Sequence, residues 1–394
     1  MLSLLPLSLV ALGSGPFDVL EPTPTAHLAP EIKTSYDEGL TFDWQTGKLV
    51  IEGLFEVGAY GNEGASRGVD SGTYVKRMRP EFAGEFDGGW QFRFEPKFDD
   101  AGVELEEAWV GREILDGNAL LRLGRMKAPF GLEEIRSRRN IHFPRFSILN
   151  QFSPAEDHGV FVTGLEGQFE YGYALYNGTG GAEEDSGKDV ALHGMWHSPA
   201  GGESSWQAGC ALTYGRQDRS VEGDVIKNSG GQSVLEFGPA ATLDGDRLRL
   251  GFEAAWFHGP LMVQAEFLRV EQEMGGGATV EDTAMTGFYI DIARSLTGND
   301  LDFHGPANPT DTWVAAVRLS TLRLSDELNT PGILTPGTFT EGIDSVSLGL
   351  NWIPNSHVIV RHAWTHSWYT DTVTIAGEAV DDEGLLTVEL QLHF

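Results

Sequence analysis

The residues from Gly384 to Phe394 alternate without interruption. Leu386, Val388, Leu390, Leu392 and Phe394 fall on one phase, and Thr387, Glu389, Gln391 and His393 on the other. A period of two sets the apolar residues on one face of a strand and the polar residues on the opposite face. A terminal strand frays unless a neighbour covers its edge. The same alternation recurs upstream. Trp90, Phe92, Phe94, Pro96 and Phe98 interleave with Gln91, Arg93, Glu95, Lys97 and Asp99. Phe169, Tyr171, Tyr173 and Leu175 form another such set, as do Leu248 to Trp256 and Val346 to Trp352. No internal apolar run approaches the roughly 18 residues of a membrane helix. Two folds remain: a soluble β-sandwich, or a closed barrel with its apolar face against lipid.

The connections separate these two. Tight turns stand at Asp87-Gly88-Gly89, Leu115 to Asn118, Glu166-Gly167, His258-Gly259-Pro260 and Ile353 to Ser356. Longer polar links occupy 61–72, 127–158, 177–188, 218–246, 273–282, 324–342 and 371–383. Short and long connections mostly take turns, as periplasmic turns and external loops do in an outer-membrane barrel. Residues 297–309 are long for a periplasmic turn, and Ser233 to Phe237, a possible strand, is placed within an external loop. Sixteen strands then follow: 47–60, 73–86, 90–99, 103–113, 119–126, 159–165, 168–177, 189–197, 205–217, 247–257, 261–272, 283–294, 310–323, 343–352, 357–370 and 384–394. The count is even, as termini on one side of a membrane require. Trp90, Trp196, Trp206, Trp256 and Trp352 all flank short turns, as an interfacial girdle would. The expectation is an all-β, transmembrane, antiparallel up-and-down β-barrel of about 16 strands, porin-like. The terminal strand resembles that of bacterial outer-membrane barrels. Leu386, Val388, Leu390, Leu392 and Phe394 are therefore expected to be the signal that the barrel assembly machinery reads.

Leu2 to Leu12 and the small residues after it resemble a secretory signal peptide, although no Lys or Arg precedes the run. Residues 1–30 are expected to be a signal peptide and flexible segment, and 31–394 a single barrel domain in the bacterial outer membrane. The one cysteine, Cys210, excludes an internal disulfide and is read as a small buried hydrophobe. A formal net charge of −31 argues against nucleic acid as a partner. The acids collect in the expected loops, where divalent cations would bridge them to lipopolysaccharide.

One stretch reverses the charge. Arg122, Arg125, Lys127, Arg136, Arg138, Arg139 and Arg145 face only Glu133 and Glu134, giving a local net charge of +5. This stretch enters the longest link, 127–158, and a loop of that length is usually functional. It is expected to be a third external loop folded into the lumen, where its cations select anions. Arg77 with Arg79, and Arg93 with Lys97, share the polar faces of their strands and extend the basic track. The alternatives for the cluster are a solvated surface or a seat for lipid phosphates. Arg318 and Arg361 are lone basic residues that could face the lumen. Signals for an enzyme are weak. His193 and His197 have ligand spacing only on a helix, and no nucleophile elbow, phosphate loop or His-Glu-x-x-His occurs. No catalytic residue, metal or cofactor is expected.

Several motifs, taken in order, resemble the phosphate-selective porins O and P of bacterial outer membranes. They are Arg77-Met-Arg-Pro-Glu-Phe-Ala-Gly84, Glu107-Ala-Trp-Val-Gly111, Leu123-Gly-Arg-Met-Lys-Ala-Pro-Phe-Gly131, Gly259-Pro-Leu-Met-Val-Gln-Ala-Glu266, Leu296-Thr-Gly298 and Leu348-Gly-Leu-Asn-Trp-Ile-Pro-Asn355. The similarity runs from about residue 45 to the end. It implies a 16-stranded, trimeric barrel with basic residues guiding anions at a constriction. The positions that match are Arg77, Arg79, Arg125 and Lys127. The chain departs from the family in its acidity and shows neither a dense arginine ladder nor three central lysines.

The expected function is passive diffusion of small hydrophilic solutes with anion preference, phosphate or polyphosphate being the candidate permeants. The alternative is a plugged structural or adhesive barrel, told apart by its lack of conductance. A soluble sandwich that binds carbohydrate would leave the cell without detergent. Changing Arg136, Arg138 and Arg139 to Glu is expected to abolish or reverse the anion preference in planar bilayers.

Overall fold

The computed structural model describes residues 33–36, 39–63, 71–180, 187–199, 201–277, 279–375 and 378–394. Sixteen antiparallel strands run up and down around a closed barrel. They are β1 (Gly47–Glu63), β2 (Ser71–Phe86), β3 (Trp90–Asp99), β4 (Gly102–Ile114), β5 (Ala119–Lys127), β6 (Glu156–Glu166), β7 (Phe169–Tyr176) and β8 (Asp189–His197). The second half is β9 (Ser204–Ser220), β10 (Ala241–His258), β11 (Leu261–Gly276), β12 (Val280–Ser295), β13 (Thr312–Leu324), β14 (Gly342–Asn355), β15 (Val358–Ile375) and β16 (Glu378–His393). Each strand pairs with the next, and β16 pairs with β1 from Gly384↔Glu63 to His393↔Leu54. The last strand therefore has no free edge, and every strand has two neighbours to satisfy its backbone in lipid.

The alternation works as expected. Leu386, Val388, Leu390, Leu392 and Phe394 are exposed on the outer face, whereas Thr387, Glu389 and Gln391 are buried inside. The barrel corrects the reading of Cys210. It lies on the exposed outer phase of β9, because a barrel turns its apolar phase outward to lipid. Trp90, Trp196, Trp206 and Trp256 are exposed at the end of the short turns. Trp206 sits opposite Trp256, and Trp352 stacks on Trp313 at 5.9 Å.

Two further differences have physical causes, and the segment 233–237 keeps its expected place in an external loop. The links 218–246, 273–282 and 371–383 shrink to 221–240, 277–279 and 376–377. Above the lipid band both faces of a strand are wet, so the ladder continues where the alternation fades. Ser233–Glu236 is a strand, but it pairs with Val225–Lys227 within the external loop. A hairpin of Lys33–Tyr36 and Leu40–Trp44 escapes the periodicity and extends the sheet by pairing onto the lower half of β1. The expected leader over 1–30 lies outside the described residues.

External loops fold into the lumen and pack against its wall. The links 128–155, 221–240 and 325–341 supply Phe130, Ile148, Leu149, Ile226, Leu235 and Leu328 to an apolar cluster that meets the inner wall at Leu268, Val270 and Leu322. From the other end, residues 296–311 fold as a short hairpin, Leu301–Asp302 against Gly305–Pro306, that buries Leu301.

Closure depends on a tight last rung. The Gly53 N–H donates to the Phe394 carbonyl at 2.8 Å, and the Phe394 N–H donates back at 3.1 Å. The Phe394 ring covers Gly53 so closely that a Cβ there would lie 2.4 Å from it. Gly53→Leu is expected to displace the ring and cost about 1–3 kcal/mol, as overpacking does. The measurement is the urea midpoint of the heat-modifiable folded band. An unchanged midpoint would show that the ring contributes nothing to closure.

Candidate pore constriction

The basic track divides into two groups, one on the wall and one on the loop. On the wall, Arg77 and Arg79 project inward from β2, as the spacing indicates. Arg77 lies 2.8 Å from Glu56 and 3.6 Å from Glu106. Arg79 lies 2.9 Å from Glu95 and 2.8 Å from Glu106. Arg93 meets Glu81 at 2.9 Å and Glu107 at 3.7 Å. Lys97 bridges Glu104 and Asp99, and Arg125 reaches Glu104 at 3.9 Å while donating to the Leu105 carbonyl. These wall cations are thus interleaved with carboxylates, and the wall carries little net positive charge.

Two bulges assemble this ladder, and neither is visible in a strict period of two. Against β1 the register shifts between Glu56 and Val57, so Lys76 turns inward beside Arg77. Lys76 reaches Glu389 at 2.9 Å and donates to the Pro144 carbonyl of the loop. Against β4 the register shifts between Glu95 and Pro96, which has no N–H to give to a ladder. Glu106 and Glu107 therefore both face inward, at 5% and 8% exposure. A bulge resets the phase, which is why Lys76 and Glu106 were missed.

The loop 128–155 descends through the lumen along the wall formed by β10 to β15. Arg318 of β13 fixes its middle, 2.6 Å from Glu133 and 2.7 Å from Asp291. Arg361 of β15 donates to the carbonyls of Ile141 and Arg139 and lies 3.1 Å from Glu389. Both lone arginines thus face the interior, as buried anchors. Glu266 accepts from the Leu132 and Glu133 N–H groups. The wall yields room through glycine. A Cβ on Gly287 would lie 2.4 Å from Leu149, and one on Gly172 would lie 2.6 Å from Pro129.

The loop cations have different settings. Arg136 is 1% exposed, donates to Gln264 at 2.7 Å and to the Phe303 carbonyl at 3.1 Å, and stacks on the Phe303 ring. Burial pulls its pKa down to about 10, so it stays charged beneath the loop. Arg139 pairs with Glu52 at 2.7 Å. Lys127 pairs with Glu134 at 3.6 Å. Burial works to raise the Glu134 carboxyl, but Lys127 and Arg138 overcome it and hold it below the ordinary value. Arg145 is exposed, and its carbonyl accepts from Arg318. Arg138 lies over the Phe146 ring at 4.1 Å and has no carboxylate within 4 Å among the described residues. Its field nonetheless acts on Glu56, Glu106 and Glu134. It is therefore a loop cation that lies near carboxylates of the β1–β4 ladder. His193 and His197 each take a single carboxylate, Glu253 and Glu170, and converge on no common site.

The family model for phosphate-selective porins O and P matches residues 56–394. The chain belongs to that family. Within the porin family it is similar to Porin O of Pseudomonas aeruginosa, 25% identical over 182 residues, an alignment spanning 41% of each protein. Among solved structures, the outer-membrane expressed OmpT of Vibrio cholerae superposes with a TM-score of 0.56 at 12% identity, covering 90% of this chain and 100% of that chain. The outer-membrane channel DcaP of Acinetobacter baumannii gives 0.56 at 12% identity, covering 89% and 98%. At such identities the likeness speaks for the fold alone, a closed antiparallel barrel.

Two predictions concern the seating of the loop in this chain. Arg318→Met leaves Glu133 and Asp291 buried without their cation, which costs about 3–5 kcal/mol. Hydrogen exchange across 128–155 is expected to accelerate strongly, while β4 and β5 stay protected. Unchanged exchange would show that the loop is held elsewhere. The second prediction concerns pH. Burial first, then the cations Arg136, Arg361 and Arg318, hold His142 well below its ordinary value of 6.5. The seated loop therefore binds fewer protons than the released loop below that value. His142 contributes its full share above pH 6.5 and loses it as the pH falls. Glu133, raised by burial and by Asp291 against Arg318, has the opposite sign. The difference in loop protection between wild type and His142→Asn isolates the histidine. It is expected to shift in favour of the variant between pH 7.5 and pH 5.5, and a constant difference would refute this.

Proposed function

We propose that the chain is a passive outer-membrane porin with a preference for small anions, phosphate being the candidate suggested by the family's name. One observation carries the reading. A polar, charge-lined barrel interior is crossed by an inward loop whose Arg138 has no carboxylate partner among the described residues, near a wall whose cations are neutralised. Solutes move down their gradients, and Arg138 and the exposed Arg145 supply the positive potential. Arg77, Arg79, Arg93, Lys97, Arg125 and Lys127 act through the carboxylates that hold them in place. Arg136 and Arg139 hold the loop. No catalytic step belongs to this reading. One OmpT structure of Vibrio cholerae is described in a trimer form, which supports a homotrimer here. The outward alternation of Leu386 to Phe394 supports its use as an assembly signal.

One observation favours a second reading, a plugged barrel. Three external loops share an apolar cluster inside the wall. Conductance separates the two readings.

The test is single-channel recording in planar bilayers under a salt gradient, with wild type and Arg138→Glu. An ion passing about 8 Å from the guanidinium in a watery lumen feels roughly 0.5 kcal/mol per unit charge. Reversing two units is worth about 1 kcal/mol, roughly fivefold in anion permeability. The anion-to-cation permeability ratio read from the reversal potential is expected to fall by about that factor or more, and added phosphate to block the wild type more than the variant. Steps without any change in selectivity would remove Arg138 from the ion path. An absence of steps would support the plugged barrel.

A further inference from the structure

A cavity lies toward the external end of the barrel. It holds about 420 Å³ between the inner faces of β9 to β12, the end of loop 128–155 and the hairpin within 221–240. That is within the usual size of small-molecule sites, about 300–1,000 Å³. Its charge runs against the rest of the chain. Arg219, Lys227, Arg247 and Arg249 line it with Asp224 as the carboxylate among them, in a protein of net charge −31. Asp189, on the inner face of β8, lies 2.7 Å from Arg247 and 3.2 Å from Arg249. Asp224 lies 3.9 Å from Arg219. The excess of cations over carboxylates survives this pairing.

Two buried donors are unspent. The Arg247 Nε and the Gln272 Nε2 have no hydrogen-bond partner among the described residues, although Arg247 is 3% exposed and Gln272 8%. An unmade hydrogen bond of this kind is costly, more so on a charged group. The opposite half of the cavity is apolar, with Ile226, Phe237, Val270, Met274 and Met285. A site that joins two donors, excess positive charge and an apolar half matches one chemistry best. The ligand brings two acceptor oxygens, a single negative charge and an apolar body.

We propose that this cavity is an outer-vestibule binding site for small organic carboxylates with an aromatic or branched apolar body. The Arg247 Nε and Gln272 Nε2 donate to the carboxylate oxygens, Arg249 adds field, and Val270, Met274 and Met285 receive the body. Inorganic phosphate would leave the apolar half uncovered. A neutral alcohol would leave the cations unanswered. The proposal rests on the porin reading only for access through the external mouth.

The experiment is calorimetric titration of the whole detergent-purified protein with benzoate, acetate, benzyl alcohol and inorganic phosphate. Benzoate is expected to bind at one saturable site, about tenfold or more tighter than the other three. Gln272→Glu places a carboxylate on the wall without touching the Asp189 pairs, and is expected to weaken benzoate about tenfold or more. Met285→Trp keeps every charge and fills the apolar half, and is expected to abolish binding. Heat-modifiability on a gel shows that each variant is folded, and either variant alone suffices if the other fails to fold. An absence of benzoate heat, equal binding of acetate or phosphate, or binding indifferent to the folded variants would overturn the site. Conductance is recorded on the same preparation. Conductance without benzoate binding overturns the site and leaves the porin. Benzoate binding without conductance keeps the site and removes the porin reading.

Discussion

Lipid offers no hydrogen bonds, so the sheet must close, and closure sets the terms for everything inside it. The ladder between β16 and β1 carries that requirement to the Phe394 carbonyl and amide, both bonded to Gly53. Once the sheet is closed, alternation is no longer a choice between core and solvent. It becomes a choice between lipid and lumen, and within the lipid band the polar phase of the strands is delivered to a shared interior. That is how a chain with 58 acids comes to place them beside its arginines.

Inside, two uses of positive charge coexist. On the wall, cations and carboxylates alternate and largely cancel, so the wall fixes geometry more than potential. Arg318 and Arg361 do the same for the loop, gripping Glu133 and loop carbonyls respectively. The potential that solutes meet then depends on the few guanidinium groups that this pairing omits. Buried ion pairs contribute little net stability, but a broken one is expensive. The arrangement therefore specifies one loop position strongly without making the barrel much more stable.

The strands were legible because period two persists wherever one face meets lipid. Val346 to Trp352 and Leu248 to Trp256 read correctly for that reason. The Lys76 and Glu106 bulges were not, since one extra residue inverts the phase and leaves no compositional mark. Arg318 and Arg361 could be seen as lone charges on a polar phase. Their role could not, because it depends on contacts with a loop more than 150 residues away in sequence. The excess charge of 122–145 was legible, but its division into seated and unpaired arginines depends on Phe303, Gln264 and Glu52, from distant elements. The hairpin ahead of β1 was hidden because it lies outside the lipid band, where no face need be apolar.

The glycines under the loop have a consequence for how such barrels diversify. Gly172 and Gly287 occupy inward positions, and the space that their missing side chains leave is occupied by Pro129 and Leu149. The wall is thus a mould cut for this particular insert. A loop transplanted from a relative would meet gaps where it is narrow and collisions where it is wide. Exchange of pore character between such proteins therefore requires that wall glycines and loop apolar residues travel together as one inherited unit.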